Sequence, residues 1–430
     1  MNSRAVLFVA AALCLVGYVW VYTTGAADIP IRSDGFSYYV YLPSWFIFGD
    51  TTLAAVARDC CGGEFPEFTA IIRWPETRRW VNAHPIGVAI MQSPAFAIAH
   101  LLTRWTNLSP DGFSLYYQHA AGLAGLGWIV AGLAMLRSLL LRSFSDGVTA
   151  ATLLAVLLGT NLYHYATYDS SYSHPYSFFL FASFMWLTDR WHAEPVTRRS
   201  VLLGIVTGLI VIVRHTNILF TVVFALYGVG ASTSLAARAA HLWRERRQLA
   251  FIIATAAAVI APQLLIYYQA TGDVLVSSYG DLGFNWASPQ ITGVLFGVKK
   301  GLFFWSPLLL LAVGGLVLLA RSARPASAFV LPGILFLIVH TYLIASWWDW
   351  QFGGSYGHRG FIDVLPLFAL GLAAVFSAAT SSTGARSATV LGVGALVALS
   401  LFQMLQYWYG IIPFSDTTWP QYRELFLRWQ

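Results

Sequence analysis

Charged residues are scarce in this chain of 430 residues. Asp, Glu, Lys and Arg make up 10% of it and hydrophobic residues make up 57%, whereas soluble domains carry about 25% charged residues. This composition excludes an ordinary soluble domain and indicates a polytopic membrane protein in contact with the lipid bilayer. The net charge of +6 forms no basic patch interleaved with aromatic residues, so we expect no nucleic acid as a partner.

Cysteine is also rare, at three residues, and the patterns typical of metal sites are missing. There is no C-x-x-C pair and no Cys/His spacing of the kind that binds zinc. Cys14 lies inside an apolar run, where we expect a small packing residue. Cys60 and Cys61 are adjacent. Because a disulfide between neighbouring residues would be strained, we assign them no role.

The chain is rich in long apolar runs, and we predict eleven of them to be transmembrane helices in an all-α fold. They cover residues 5–23, 114–136, 148–168, 174–188, 200–213, 215–234, 249–270, 302–320, 327–345, 361–379 and 387–409. A twelfth run, 86–102, contains Gln92 and Pro94. If this run does not cross the membrane, most arginines between the later runs lie on the same side as Arg4. If it does cross, every later loop changes side and these arginines lie outside. The positive-inside rule therefore predicts a re-entrant or juxtamembrane helix there.

This topology places the N-terminus in the cytoplasm and the long loop 24–113 on the outer face. The first run has about 18 residues, longer than the core of a cleaved signal peptide, so we expect a retained anchor. The tail 410–430 mixes aromatic and charged residues and is predicted to be an interfacial helix. We see no internal repeat and no separate soluble domain, so residues 1–430 are expected to form a single transmembrane domain.

The stretch 31–45, just after the first run, contains Asp34 followed by tyrosines and a tryptophan, which are typical of the headgroup level. A carboxylate at that level reaches both a lipid-linked phosphate and a water-borne acceptor. We therefore regard Asp34 as a candidate catalytic base. The alternative is that Asp34 caps a short interfacial helix, which is a common role of Asp.

Other polar residues fall in loops that are predicted to share the outer face with Asp34. His84 precedes Pro85 at the start of the juxtamembrane helix, where it either orients a substrate or Asp34, or caps the helix. Asp169 and His174 lie in the second outer loop, which is either part of a site or an ordinary polar turn. We treat His84, Asp169 and His174 as candidate substrate-binding residues.

Arg214 follows an unusually short apolar run. As a helix, residues 200–213 span about 21 Å, less than the ~30 Å of the hydrocarbon core. Arg214 therefore either snorkels to the surface or is recessed in the protein, where it needs an anionic partner such as a lipid phosphate. Asn217 follows shortly after, and we include both as candidate substrate-binding residues.

Two further outer segments combine charge with aromatic residues and glycine. Lys300 and the lysine before it lie at the outer end of a predicted span, where they either bind phosphate or are merely solvated. The stretch 347–363 contains Trp348, Asp349 and Arg359, with further tryptophans and several glycines. Tryptophan stacks on sugars, glycine allows close backbone approach, and arginine binds phosphate in a bidentate manner. An aromatic belt with a glycine turn is the alternative.

The chain resembles the GT-C superfamily of integral-membrane glycosyltransferases, and in style it is closest to bacterial relatives of the protein O-mannosyltransferases and the lipid A aminoarabinose transferase. The resemblance rests on Asp34 after the first span, His84 followed by proline, the short span that ends in Arg214, and the segments 301–307 and 353–359. It covers most of the chain, although each motif is short.

The resemblance implies a GT-C-like fold and an inverting transfer of a hexose or pentose from a polyprenyl-phosphate donor to a lipid, glycan or protein acceptor. Asp34 would be the general base, and Arg214, Arg359 and Lys300 would stabilise the leaving phosphate. Unlike many relatives, this chain has glycine after Asp34 and no second acid before Asp50, so we expect no metal and no cofactor. The implied location is the inner membrane of a bacterium, with the active site on the periplasmic face.

Two other functions fit parts of the sequence. A transporter or flippase for lipids or oligosaccharides would explain the many spans, but it would carry polar residues along a path through the bilayer. A membrane acyltransferase would place a histidine within the membrane, for which His340 is the only modest candidate. Polar residues that gather at one face favour the glycosyltransferase.

Overall fold

The structure, a computed structural model, describes residues 2–277 and 282–429, and nearly all of its regular structure is helical. The helices are α1 (Ser3–Thr23), α2 (Asp34–Tyr39), α3 (Tyr41–Phe46), α4 (Ala54–Cys61), α5 (Gly87–Arg104), α6 (Leu115–Leu140), α7 (Asp146–Leu158), α8 (Leu162–Thr167), α9 (His174–Ala193), α10 (Thr197–Val213), α11 (Thr221–Ala225), α12 (Leu235–Arg244), α13 (Arg246–Thr271), α14 (Ile291–Phe296), α15 (Leu302–Trp305), α16 (Leu308–Ala320), α17 (Val330–Ser346), α18 (Leu365–Ala379), α19 (Thr383–Trp408) and α20 (Trp419–Leu425). The described ranges also contain the strands β1 (Ile71–Arg73) and β2 (Trp80–Asn82), and 3₁₀ turns at Glu67–Thr69, His215–Phe220, Pro325–Phe329 and Arg359–Phe361.

Five helical segments in the described part of the chain are long and apolar enough to cross a membrane. They are α1, α6, α13, α19 and the continuous segment Pro325–Ser346, which ends with α17. Shorter apolar segments of 10–17 residues include α7, α16 and α18. The structure thus shows a mostly helical protein suited to a membrane, while the full set of eleven spans remains a prediction.

Three predicted spans are broken by residues that do not suit a continuous helix. The run 215–234 consists of the 3₁₀ turn His215–Phe220 and α11, and it is not helical beyond Ala225, in a segment where Gly228 and Gly230 have positive φ. The run 148–168 divides into α7 and α8, with Gly159 following the end of α7. The run 302–320 divides into α15 and α16, with Pro307 between them. Proline lacks the N–H that a helix interior needs, and glycine weakens a helix through its backbone freedom. The predictions were wrong here because they followed hydrophobicity alone.

Helices α9 and α18 lie at the centre of the molecule. Most residues of both are buried, as expected for helices that are apolar around their whole circumference. Glycine allows close approach at the contact of α16 with α18, since a Cβ built at Gly315 would lie 1.9 Å from the main-chain oxygen of Gly371. By contrast, α13 and α19 expose most of their residues, as helices that face lipid do.

The first outer loop contains more structure than the predicted juxtamembrane helices. Helices α2, α3 and α4 are followed by an antiparallel hairpin of β1 and β2, in which Ile71 pairs with Asn82. The chain then enters α5, which covers the predicted helix 86–102, contains Pro94, and packs against α6 and α10. The hairpin was not predicted. It matters for the site because it delivers the chain directly to His84.

Two local expectations are changed by the structure. Cys60 and Cys61, which were given no role, are joined in a disulfide at the end of α4. The tail 410–430 was predicted to be a helix, but α20 covers only Trp419–Leu425. This helix begins at a capping box of Thr418 and Gln421, which fixes its start well inside the tail. Gln430 lies outside the described residues.

Candidate active site

A cavity of about 180 Å³ lies where the first outer loop meets the ends of several helices. Its polar lining comes from the boundaries of elements: Asp34 begins α2, His174 begins α9, Arg214 follows α10 and Arg359 begins a 3₁₀ turn. His84, between β2 and α5, also lines it. Sequence analysis named these residues on four separate loops, and the structure brings them to one place.

Asp34 and Arg359 form an ion pair in the wall of this cavity. Arg359 Nη1 donates to Asp34 Oδ2 at 2.7 Å, and the Arg359 and Asp34 side chains are 13% and 23% exposed. Burial alone would raise the pKa of Asp34, but the charge and hydrogen bond of the Arg359 guanidinium hold this pKa below its usual value. Asp34 is therefore an ionised carboxylate beside the cavity.

The alternative role of Asp34 as a helix cap does not match its position. Ser33 occupies the cap position of α2, and no side-chain hydrogen bond caps this helix. Ser33 has a φ of 47°, in a region that residues other than glycine rarely adopt. This sharp turn leads directly to Asp34, whose carboxylate binds Arg359.

A second ion pair holds Arg214. Arg214 Nη1 donates to Asp363 Oδ2 at 3.2 Å, and Asn217 Nδ2 donates to the same oxygen at 3.0 Å. His174 Nδ1 lies 3.0 Å from Asp363 Oδ1. Because Asp363 is fully buried, one carboxylate fixes three side chains. Two of them, Arg214 and His174, line the cavity.

Sequence analysis missed Asp363 as a site residue. A signal was present, because Asp363 lies inside the predicted span 361–379, where ionisable groups are rare and usually paired or functional. The structure also changes the expected partner of Arg214. The side chain is recessed, at 18% exposure, but its anionic partner is Asp363. Asn217, predicted to bind substrate, lies behind the cavity and contacts Asp363 instead.

His84 faces the cavity and does not cap α5. The cap position of α5 is Ile86, without a side-chain hydrogen bond. His84 Nδ1 is buried and has no hydrogen-bond partner within residues 2–277 and 282–429, and Tyr38 packs edge-on against the ring at 4.5 Å. Burial lowers the pKa of His84, and Asp34 opposes this only in part. The ring is thus neutral, with Nδ1 available to a ligand.

Asp169 and Lys300, predicted to bind the same substrate, lie outside this cavity. Asp169 lines a neighbouring cavity, where it pairs with Arg32. Lys300 is buried, and its Nζ donates to the main-chain oxygens of Ser355 and Phe414. Burial, followed by the charge of Arg359, lowers the pKa of Lys300 to about 7. The predicted phosphate contact of Lys300 is therefore replaced by contacts that fix a loop.

Trp348 and Asp349 also lie outside the lining of the cavity. The Trp348 side chain is 52% exposed, and it is the preceding residue, Trp347, that lines the cavity. Asp349 is partly buried, and burial raises its pKa. Sequence alone does not separate Trp347 from Trp348, because side-chain directions in an irregular segment follow no fixed period.

Part of the cavity lining is apolar. Leu343 and Ile344 of α17 contribute to it, together with Trp347 and Phe352. His340, on the same helix, also lines the cavity, and its Nε2 lies 2.9 Å from a main-chain oxygen. The lining of the cavity thus combines charged and apolar side chains.

No protein-family model matches the chain, and a search of the curated proteins gives no significant match. The function is therefore argued from the cavity itself. Within residues 2–277 and 282–429, no three His, Cys, Asp or Glu side chains are grouped as metal ligands would be. Each carboxylate at this site is paired with an arginine, Asp34 with Arg359 and Asp363 with Arg214.

This arrangement suits chemistry at a phosphate next to a hydroxyl group. An ionised carboxylate accepts a proton, and guanidinium groups bind phosphate through several N–H donors in a fixed plane. Arg359 and Arg214 each use one of these donors on a carboxylate of the protein. A neutral imidazole at His84 supplies a further hydrogen-bonding group.

Proposed function

We propose that this protein is a membrane glycosyltransferase that moves a hexose or pentose from a polyprenyl-phosphate donor to an acceptor, with inversion at the anomeric carbon. The observation that carries the proposal is the ion pair of Asp34 with Arg359 in the cavity wall. It sets a proton acceptor beside a phosphate-binding group, as a single displacement at a sugar phosphate requires. The resemblance to the GT-C superfamily supports the same function.

The mixed lining of the cavity supports an amphipathic donor. Arg359 and Arg214 would bind a phosphate, and Leu343 and Ile344 offer apolar contacts. These two apolar residues belong to α17, whose residues Ile338, Val339 and Tyr342 are exposed on the outside of the molecule. A polyprenyl chain could therefore run along α17 in the bilayer while its phosphate reaches the arginines.

Donor binding would also prepare Asp34 for its role. Arg359 holds the pKa of Asp34 down, which makes the carboxylate a weak base. A donor phosphate that shares the Arg359 guanidinium weakens this ion pair, so the pKa of Asp34 rises. The base then becomes effective only when the donor is in place.

In the transfer step, Asp34 takes the proton of the acceptor hydroxyl while the hydroxyl oxygen bonds to the anomeric carbon. The bond from that carbon to the phosphate oxygen breaks, and polyprenyl phosphate leaves with the electron pair. Arg359 and Arg214 stabilise the charge on the leaving phosphate, and Asp34 afterwards releases its proton to water. Since guanidinium groups meet this charge, we expect no metal and no cofactor to be required.

The location of the reaction follows from the predicted topology. The cavity is built from segments that the positive-inside rule assigns to the outer face. We therefore propose a bacterial inner-membrane protein with a cytoplasmic N-terminus, in which transfer occurs on the periplasmic face.

The proposal is tested with purified protein in proteoliposomes that contain isotopically labelled polyprenyl-phosphate sugars and an extract of envelope acceptors. We expect free polyprenyl phosphate to appear together with a labelled acceptor, both detected by mass spectrometry. Protein inactivated by heating is the control. A flippase or transporter would move the labelled donor across the bilayer without cleaving it, and that result would refute the proposed reaction.

A further inference from the structure

A second cavity, of about 620 Å³, has no role in the mechanism above. Aromatic side chains dominate its lining: Tyr168, Tyr172, Tyr407, Trp408 and Tyr409 all contribute. Its volume falls within the range of small-molecule sites, about 300–1,000 Å³. The cavity is thus large enough for a compact organic ligand and offers it several ring faces.

One polar group in this cavity, Arg32, is held by a chain of buried hydrogen bonds. Trp408 Nε1 donates to His164 Nδ1 at 2.8 Å, so His164 carries its proton on Nε2, which lies 2.9 Å from Asp169 Oδ2. The other oxygen of Asp169 accepts from Arg32 Nη2 at 3.0 Å. The Arg32 guanidinium also stacks over Tyr168 at 4.3 Å. This chain fixes both the position and the orientation of Arg32.

The ion pair in this cavity carries no net charge. Burial alone would raise the pKa of Asp169, but the hydrogen bond from His164 and the charge and hydrogen bond of Arg32 lower it to about 2. Asp169 is therefore ionised and cancels the charge of Arg32. His164 adds none, because its Nδ1 accepts the Trp408 proton and the ring is neutral.

The second cavity adjoins the first at Asp34. Ser33 lines the second cavity and Asp34 lines the first, and consecutive Cα atoms are only about 3.8 Å apart. Tyr172 lines the second cavity, and the Arg359 guanidinium of the first lies 5.6 Å from its ring centre. A ligand in the second cavity would therefore lie next to the proposed base.

We infer that the second cavity binds a neutral sugar unit of the acceptor, so that the acceptor is a glycan; this inference rests on the proposed function. Aromatic rings pack against the C–H faces of sugars, and a fixed guanidinium–carboxylate pair exchanges hydrogen bonds with their hydroxyl groups. An anionic group would gain little from an ion pair whose charges cancel. A lipid tail would bury the Arg32 side chain, 25% exposed, against hydrocarbon at a cost.

The inference is tested by binding without donor, so that the result does not depend on transfer. The probes are neutral trisaccharides of glucose, mannose, galactose and arabinose, phosphorylated versions of the same sugars, and an unglycosylated peptide, each titrated into the full chain in nanodiscs. We expect one or more neutral trisaccharides to bind, with the phosphorylated versions binding no more tightly. Tighter binding of the peptide or of the phosphorylated sugars, or no binding of any neutral sugar, would overturn the inference.

Substitutions of residues that line the second cavity test whether the sugars bind there. Tyr409 is 52% exposed, so Tyr409→Ala should fold, and it should weaken sugar binding by about tenfold through the loss of one ring face. Arg32→Gln should weaken it similarly, while Trp105→Ala, an exposed tryptophan outside the cavity, should not. Sugar binding that survives both Tyr409→Ala and Arg32→Gln would place the site elsewhere.

A substitution in the first cavity distinguishes the sugar-binding inference from the proposed transfer reaction. Arg214→Ala should keep sugar binding and weaken donor binding. If sugars bind as expected but the donor is never cleaved, the proposed reaction fails while the sugar site stands.

Discussion

At the scale of single residues, the buried carboxylate of Asp363 positions both Arg214 and His174. Asp363→Asn keeps the size of the side chain but removes the charge that fixes Arg214. We expect the donor KM to rise about tenfold, equivalent to about 1.4 kcal/mol, with a smaller change in kcat. Removing the partner of a buried charge should also lower the melting temperature.

The matched control for Asp363 is Asp50→Asn. Asp50 lies in the first outer loop, where its carboxylate accepts hydrogen bonds from Thr52 and from the main-chain N–H of Ala55. A lower melting temperature with an unchanged donor KM in Asp363→Asn would show that Asp363 supports the fold but does not position the donor site.

The two arginines of the first cavity should act on the donor. Arg214→Ala and Arg359→Ala each remove charge-assisted hydrogen bonds to phosphate, worth about 1.5–3 kcal/mol, so we expect donor use to fall roughly 10- to 100-fold in kcat/KM. Lysine at either position should recover part of the activity if charge alone matters, and less if planar geometry matters. Arg73→Ala, which breaks a surface pair with Glu64, is the control. Wild-type kinetics in both alanine variants would remove these residues from the site.

The residues that could take part in chemistry were easier to predict from the sequence than the side chains that they contact. The unusual charges on predicted outer loops drew attention to Asp34, His84 and Arg214, and these three residues line one cavity. Asp169 was expected to bind the same substrate, but it lines a separate cavity. Which loop residues face each other depends on helix packing, and that information is spread over distant parts of the sequence.

At the scale of elements, Gly87 sets the distance between α5 and α10. A Cβ built at Gly87 would lie 2.5 Å from the main-chain carbonyl carbon of Ile212, just before Arg214. Gly87→Ala should therefore push the helices apart, cost about 1–3 kcal/mol through overpacking, and lower both the melting temperature and donor affinity. Gly127→Ala is the matched control, because nothing lies within 4 Å of a Cβ at that position of α6.

The outcome for Gly87 is measured by thermal unfolding in detergent and by donor titration. If Gly87→Ala behaves like Gly127→Ala in both measurements, close packing of α5 on α10 does not hold the cavity in shape.

Helices and strands were predicted well where the sequence is apolar over a long run and poorly where polar residues, glycine or proline interrupt it. Helices α1, α6, α13 and α19 match apolar runs because burial or lipid contact of a long apolar helix dominates its energy. The hairpin of β1 and β2 has strands of three residues each, too short for a periodic pattern. Val81 of β2 packs with Tyr267 and Ala270 of α13, a tertiary contact that the sequence of the hairpin does not reveal.

At the scale of the whole molecule, the predicted topology is open to a labelling test. Val196→Cys and Thr380→Cys should resist an impermeant thiol reagent in intact cells, because both positions are predicted to face the cytoplasm. Asn107→Cys, in the first outer loop, should react. The native background should be silent, since Cys14 is buried and the other two cysteines form a disulfide. Labelling at both 196 and 380 in intact cells would contradict the topology.

The central claim is tested most directly by Asp34→Asn in the reconstituted transfer assay. The account predicts that turnover falls about 10²–10⁴-fold, as for loss of a general base, while the protein still inserts in the membrane and still binds donor. Asp34→Glu, which keeps the charge opposite Arg359, controls for loss of the ion pair and should retain the folded state and part of the activity. Near wild-type transfer by Asp34→Asn, with a purified polyprenyl-phosphate sugar pool as donor, would contradict the account.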